Sequence, residues 1–379
     1  MEISVVERID DLPAAAWNAL QGSGNPFMRH EFLAALEHHD AVGERFGWLP
    51  RHLIARDRGR LLGAAPMYLK YNSYGEFVFD WAWADAYERA GLVYYPKLVA
   101  AAPYSPVAGA RLLLATEPAQ DDIAAALTTA ALEQARSLGV SSLHWLFTTE
   151  SQTRHLASHG LLPRLGCQFH WRNGGYRDFD DYLSAFTADK RKKLRRERRR
   201  VQEQGIEIEV LDGRQVSDTQ WEIWQQFYTD TFYRKSGMPT LSGGFFRELA
   251  TTMPDSVVLV LARYGDRYVA GAFNLRDEEA LYGRHWGCSD DFHSLHFEAC
   301  YYQGLEYCIT HGLQRFEPGA QGEHKISRGF LPTATHSAHW LAHEGFREII
   351  ASFLARERHG MEHYMGELTA HSPFKATEP

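Results

Sequence analysis

Residues 319–332, GAQGEHKISRGFLP, hold five side chains capable of polar chemistry: Gln321, Glu323, His324, Lys325 and Arg328. Glu323 or His324 could act as a general base, stripping a proton from an attacking amine. Lys325 and Arg328, three positions apart, could hold one anionic group, and Gln321 adds an amide. Gly319, Gly322 and Gly329 let the backbone take positive φ or approach a ligand closely. Polar, glycine-rich loops at strand ends are where sites concentrate. The competing reading is a salt-bridged turn in which Glu323 pairs with Arg328.

Two nearby stretches add candidates for substrate binding. HFEACYYQ carries His296 and Glu298. At a helix start Glu298 is favoured by the macrodipole alone, and His296 points elsewhere on the helix, so the two do not form a dyad. LYGRHWG (281–287) reads as a strand, on which Arg284 and His285 face opposite sides; at most one can line a cleft.

The densest charge lies just upstream. Nine of the eleven residues 190–200 are Lys or Arg. Leu183, Phe186, Lys190, Leu194 and Val201 fall on one helical face, and Gly205 is a plausible C-cap. The expectation is one helix over 180–204 with a thin apolar seam. Charge runs are usually solvated faces. Here like charges repel at i,i+4, as at Lys192/Arg196 and Arg195/Arg199, with only Glu197 as an internal acid. Lys192, Lys193, Arg195, Arg196 and Arg199 therefore read as a face for an external phosphate, on a nucleic acid, a nucleotide or a phospholipid head group.

In the first half, YLKYNSYGEFVFDWAWADAYERAGLVYYPKL (68–98) is rich in aromatics. Asp80, Trp83 and Asp85, with Trp81, Tyr87 and Glu88, could line a pocket, or the tryptophans could be buried packing. No His or Cys spacing completes a metal site.

These groups must be positioned by a repeated frame. IARDRGRLLGAA (54–65) and LARYGDRYVAGA (261–272) match at an offset of 207: Ala55/Ala262, Arg56/Arg263, Arg60/Arg267 and Ala65/Ala272 are identical. Each reads as a β-hairpin. LEQARSLGVSSLHW (132–145) matches LEYCITHGLQRFEP (305–318) at an offset of 173: a helix end, a glycine cap, then a strand. The first copy thus carries about 34 extra residues between hairpin and helix, the difference of the two offsets. The expected division is 1–176 and 177–379, with the aromatic insertion in the first part and the basic helix and polar loop in the second.

Composition bounds the rest. The chain has 379 residues, 45% hydrophobic and 23% charged, with a net charge of −8: a globular protein of two domains, not a polyanion binder by bulk charge. Four scattered cysteines fit a reducing compartment. No signal peptide is recognisable, and the longest apolar run, VVLVLA (257–262), is too short to span a bilayer. A cytoplasmic location without a membrane span is expected.

The repeated order of elements resembles the GNAT acyltransferase fold: α/β (α+β), tandem domains, mixed sheets flanked by helices. Three long stretches, GEFVFDWAWADAYERAGLVYYPKL with PYSPVAGARLL, KRKKLRRERR, and LYGRHWG with LHFEACYYQGLE and EPGAQGEHKISRGFLP, resemble the bacterial FemAB-like, GNAT-related family over nearly the whole chain. That resemblance implies an N-acyltransferase moving an acyl or aminoacyl group to a small-molecule or peptide amine. The donor would be an acyl-CoA or an aminoacyl-tRNA, with transfer RNA as a partner in the second case. The pyrophosphate loop of ordinary GNAT enzymes cannot be drawn here; CSDDFHSLHF places acids where phosphate would sit. The alternative is a non-catalytic module that binds RNA or a phosphorylated cell-wall precursor through the basic helix.

Overall fold

The structure, a computed structural model, describes residues 1–22, 24–116, 119–320 and 322–375. Among them the strands are β1 (Glu2–Val6), β2 (Trp48–Pro50), β3 (His52–Asp57), β4 (Arg60–Ala65), β5 (Met67–Lys70), β6 (Lys97–Ala100), β7 (Leu113–Leu114), β8 (Ser142–Thr148), β9 (Leu162–Arg172), β10 (Ile206–Asp212), β11 (Val257–Tyr264), β12 (Arg267–Arg276), β13 (Ala280–Cys288), β14 (Arg315–Glu317) and β15 (Leu331–Leu341). The helices are α1 (Ala14–Asn18), α2 (His30–His38), α3 (Trp81–Arg89), α4 (Gln120–Ser137), α5 (Glu150–Ser158), α6 (Phe179–Ser184), α7 (Ala188–Glu203), α8 (Asp218–Arg234), α9 (Gly243–Thr252), α10 (Leu295–Phe297), α11 (Gln303–Thr310) and α12 (Glu344–Ala370). A π-helical turn, Glu298–Tyr302, joins α10 to α11. Among the described residues no helix is long and apolar enough to cross a membrane.

The chain forms two compact units, Met1–Cys167 with Ala334–His363, and Gln168–Thr333 with Tyr364–Pro379. A single division near Tyr176 was the expectation; the chain instead crosses between units at 167, 333 and 363. In unit 1, β3 and β4 form a hairpin flanked by β1 and β7, while β6 and β8 pair in parallel between β15 and β5. Leu127, Ala131 and Ala135 of α4 pack with Leu53, Leu98 and Trp145 into its core. In unit 2, β10 to β13 run antiparallel and β13 pairs in parallel with β14.

The duplication is visible in backbone detail. The β3/β4 ladder slips at Ala55/Arg56, and the β11/β12 ladder at Ala262/Arg263. Adding 207 to 55 and 56 gives 262 and 263, so both hairpins bulge at the same aligned pair. Adding 173 to 139 gives 312. Gly139 and Gly312 each follow the late helix of their copy with φ of 62° and 68°, the left-handed cap for which glycine is suited.

The helix expected over 180–204 is two helices. Segment 185–187 leaves the helical path to pair with the tail: Lys375 N donates to Ala185 O (2.9 Å), Thr187 N to Pro373 O (3.1 Å), and Phe186 bridges Phe374. Asp178 caps α6 by accepting from Asp181 N at 2.7 Å. Tertiary pairing and burial of Phe186 outweigh the gain from one continuous helix.

Candidate functional site

Strands β13 and β14 set the geometry of unit 2. Their parallel pairing lasts three residues, from Ala280↔Arg315 to Tyr282↔Glu317. β14 then ends, while β13 continues to Cys288 along β12. Arg284 is the extra residue of a bulge, because Asn274 faces Gly283 and Phe273 faces His285. Beyond the parting, a cavity of about 460 Å³ is lined by Trp286, Cys288, Asp290, Asp291, His293 and His296, among others.

Within the π turn the consecutive Tyr301 and Tyr302 contact different parts of the polar loop. Tyr301 Oη shares a hydrogen bond with His324 Nε2 at 2.9 Å. Tyr302 donates to Glu197 and accepts from Arg328 Nε at 3.1 Å. Ring contacts then run from β13 to the loop: Trp286 to His296 (5.2 Å), His296 to Tyr301 (5.4 Å), and both Tyr301 and Phe297 to His324 (5.8 Å).

The polar loop itself is a 3-10 helix, Glu323–Arg328. Gly329, at φ 87°, lies against Tyr182, where a Cβ would overlap the phenol oxygen. Tyr182 Oη donates to Arg328 O at 2.7 Å and anchors the end of the turn. His324 is exposed. Partial burial, with Arg328 and Lys325 nearby, holds its pKa below the usual imidazole value, so it is neutral and able to accept a proton at pH 7. Lys325 is buried; its Nζ donates to Gly319 O at 2.7 Å, and burial pushes its pKa down to about 8. Glu323 accepts from Tyr364 Oη at 2.6 Å. Gln321 lies outside the described residues.

Several expectations change. Arg328 does not pair with Glu323, and its guanidinium is not open to an external anion. Its Nη2 holds both oxygens of the buried Glu197 carboxylate (3.0 and 2.8 Å), and its Nη1 donates to His324 O at 2.8 Å. Glu298 is not a substrate group either: it is buried, bonded by Arg198 and by Gln303 Nε2. Arg284 and His285 do not alternate cleanly, because the bulge breaks the period. Tyr228 packs edge-on against His285 (5.0 Å) and also interacts with Arg284. Burial pushes Arg284 down to about 10. Burial first, then the neighbouring His324, Arg328 and Lys325, pushes His296 down to about 4.

On α7 the cations divide. Leu194, Glu197 and Val201 face inward. Arg195 reaches Asp180 (3.0 Å), Lys193 reaches Glu197 (4.0 Å) and Arg199 reaches Glu203 (3.4 Å). Lys192 and Arg196 are exposed and have no partner among the described residues.

Asp80, Trp83 and Asp85 belong to unit 1 and do not line an open pocket together. Asp80 is buried, bonded by Lys97, Ser73 (2.6 Å) and Tyr94 (2.6 Å). Burial raises the Asp80 pKa, but Lys97 and its other partners prevail and bring it down to about 2. Glu76 also bonds Lys97 (2.8 Å), but burial dominates and pushes its pKa up to about 7. Trp83 is buried against the rings of His339 (5.1 Å) and His144 (6.0 Å). Asp85 is exposed and pairs with Arg89, four residues on.

The sequence reading missed Tyr301, Tyr302 and Glu197 as parts of this arrangement. The doublet in EACYYQ was visible, and Glu197 stood out as the lone acid of the basic run, but nothing in their spacing said which partners they would meet.

The sequence profile of the FemAB-like family, described as peptidoglycan biosynthesis/recognition, matches residues 8–376. No functionally curated protein matches the chain. Among solved structures, FemX is similar over 93% of this chain and 100% of its own, with TM-score 0.54 and 12% identity. The C-terminal domain of a putative lysylphosphatidylglycerol synthetase from Agrobacterium fabrum is similar over 91% and 94%, with TM-score 0.53 and 12% identity. L-PGS from Bacillus licheniformis is similar over 85% and 95%, with TM-score 0.51 and 10% identity. The fold is the expected mixed α/β architecture, two units of sheets flanked by helices, and these three structures share it.

Proposed function

The chain belongs to the FemAB-like family, and on that premise we propose that unit 2 transfers an aminoacyl group to an amine. The observation that carries this reading is the hydrogen bond between Tyr301 of the π turn and His324 of the polar loop that follows the parting of β13 and β14. In the proposed step the amine nitrogen attacks the donor carbonyl, a C–N bond forms, and the ester or thioester bond breaks. His324 takes the amine proton, with Glu323 beside it as the other candidate base. Tyr301 returns a proton to the leaving oxygen or sulfur. Lys325, a buried ammonium whose described partner is a carbonyl, stabilises charge on the carbonyl oxygen.

Asp290 and Asp291 in the cavity beyond β13 oppose a pyrophosphate there, which favours an aminoacyl-tRNA over an acyl-CoA as donor. Lys192 and Arg196 of α7 would then hold donor phosphates. FemX and the lysylphosphatidylglycerol synthetases support the fold this reading needs. The test is transfer of labelled aminoacyl groups and of labelled acyl-CoA to an amine, with wild type beside His324→Gln and Tyr301→Phe. Equal turnover in all three proteins would refute it.

A second reading is a binding module for RNA or a phosphorylated cell-wall precursor, favoured by the exposed Lys192 and Arg196. Salt-sensitive RNA retention without turnover, abolished by Lys192→Glu/Arg196→Glu, would select it over the first.

A further inference from the structure

In unit 1 the aromatic insertion presents its rings to solvent. Seven of the fifteen large apolar side chains that stand exposed among the described residues fall between Tyr71 and Val93. Tyr74 is 77% exposed, Trp81 60% and Phe79 52%, and the Phe79 and Trp81 rings meet at 5.3 Å. Ordinary surfaces scatter such residues singly; a concentration marks an interaction site.

The stretch is held rigidly. Trp83, Tyr87 and Tyr94 point inward and pack with Leu341, Ile350 and Leu354. Glu76 and Asp80 are tied to Lys97 beneath. Phe77 stands at φ 59°, a costly conformation for a bulky residue, with its ring exposed rather than packed. Arg164 joins this surface to α12: it donates to Phe79 O (2.8 Å) and pairs with Glu357 (2.8 Å). Ile349 and Phe353, both exposed, precede Glu357 at intervals of four on the same helix face.

We infer that this aromatic surface of unit 1 docks peripherally on a lipid bilayer. The side chains protrude, and a fluid interface accommodates protruding rings that a rigid partner would have to match with pockets. Tyr71, Tyr74 and Trp81 combine apolar bodies with polar tips, the type enriched at the head-group level. Charge agrees: Asp85 is neutralised by Arg89 and Glu357 by Arg164. The remaining exposed charges of α3 and of the α12 stretch 348–358, Glu88, Glu348, Arg356 and Arg358, sum to zero, which leaves no net charge to repel lipid phosphates or to select a charged protein.

The test is co-sedimentation of the full chain with vesicles of phosphatidylcholine, with and without phosphatidylglycerol. Phe79→Ser/Trp81→Ser is compared with Tyr233→Ser, an exposed tyrosine of unit 2, after circular dichroism shows all three folded. Wild type and Tyr233→Ser should partition alike, and the double variant should lose about tenfold or more. Added salt should leave partitioning unchanged. The inference is overturned if wild type stays in solution or the double variant binds equally. It is also overturned if salt abolishes binding, which would assign it to α7. A dimer in light scattering that the double variant disperses would assign the surface to a second copy of this chain.

Discussion

Glu197 and Arg328 stand 131 residues apart in sequence and meet at 2.8 Å in the interior of unit 2. The same guanidinium holds the carbonyl of His324 and the phenol of Tyr302. The basic helix α7 is therefore clamped to the proposed catalytic turn, and its one inward carboxylate fixes where His324 stands.

Removing one partner of that pair leaves the other buried and uncompensated. Glu197→Gln should lower unfolding stability by about 3 kcal/mol or more, whereas Glu197→Met/Arg328→Met should lose much less, because both charges go together. Urea unfolding of the two variants beside wild type checks this. Similar losses in both would mean that packing, rather than ion pairing, dominates here.

If His324 is the base, His324→Ala should reduce transfer by about 10²- to 10⁴-fold, the usual contribution of a positioned proton acceptor. Glu323→Gln should change it far less. Rate should rise with pH through a value below the ordinary imidazole 6.5, because the folded pKa is lowered. It should fall again above about 8 as Lys325 loses its proton. A single-limbed profile that persists in Lys325→Met would remove Lys325 from the mechanism.

Lys192→Glu/Arg196→Glu should weaken binding of a phosphodiester chain and flatten its salt dependence, since each lost phosphate contact reduces the slope by close to one. Retention of RNA at several salt concentrations measures it. An unchanged slope would clear α7 of any role in holding phosphate.

Glu76 supplies a pH-dependent term in unit 1. Its folded pKa, raised to about 7 from 4.5, means the folded state binds its proton more tightly than the unfolded chain. That stability is present below 4.5 and is lost as pH rises through about 7. The melting temperature of wild type should therefore fall between pH 5 and pH 8 by more than that of Glu76→Gln. Parallel curves for the two proteins would contradict this.

Patterns local in the chain predicted local structure. Both hairpins, the glycine caps at 139 and 312 and the strand over 281–287 are set by period, turn chemistry and capping, so they could be read in advance. The duplication was legible for the same reason; the aligned bulges at 55/56 and 262/263 appear only in the folded ladders. The 180–204 helix failed because its break at 185–187 depends on pairing with residues 373–375, distant in the chain.

The sequence by itself determined which residue types were available: a dense polar loop, a cationic helix and an aromatic insertion in a doubled α/β frame. Only the tertiary structure decided their employment. Arg328 and Glu298 are neutralised internally by α7, Asp80 is buried on Lys97, and His324 is left exposed beside Tyr301. The physical reason is that a charge in a chain has no fixed partner until folding removes it from water. Burial and the nearest opposite charge then settle which groups are bound within and which remain for a ligand.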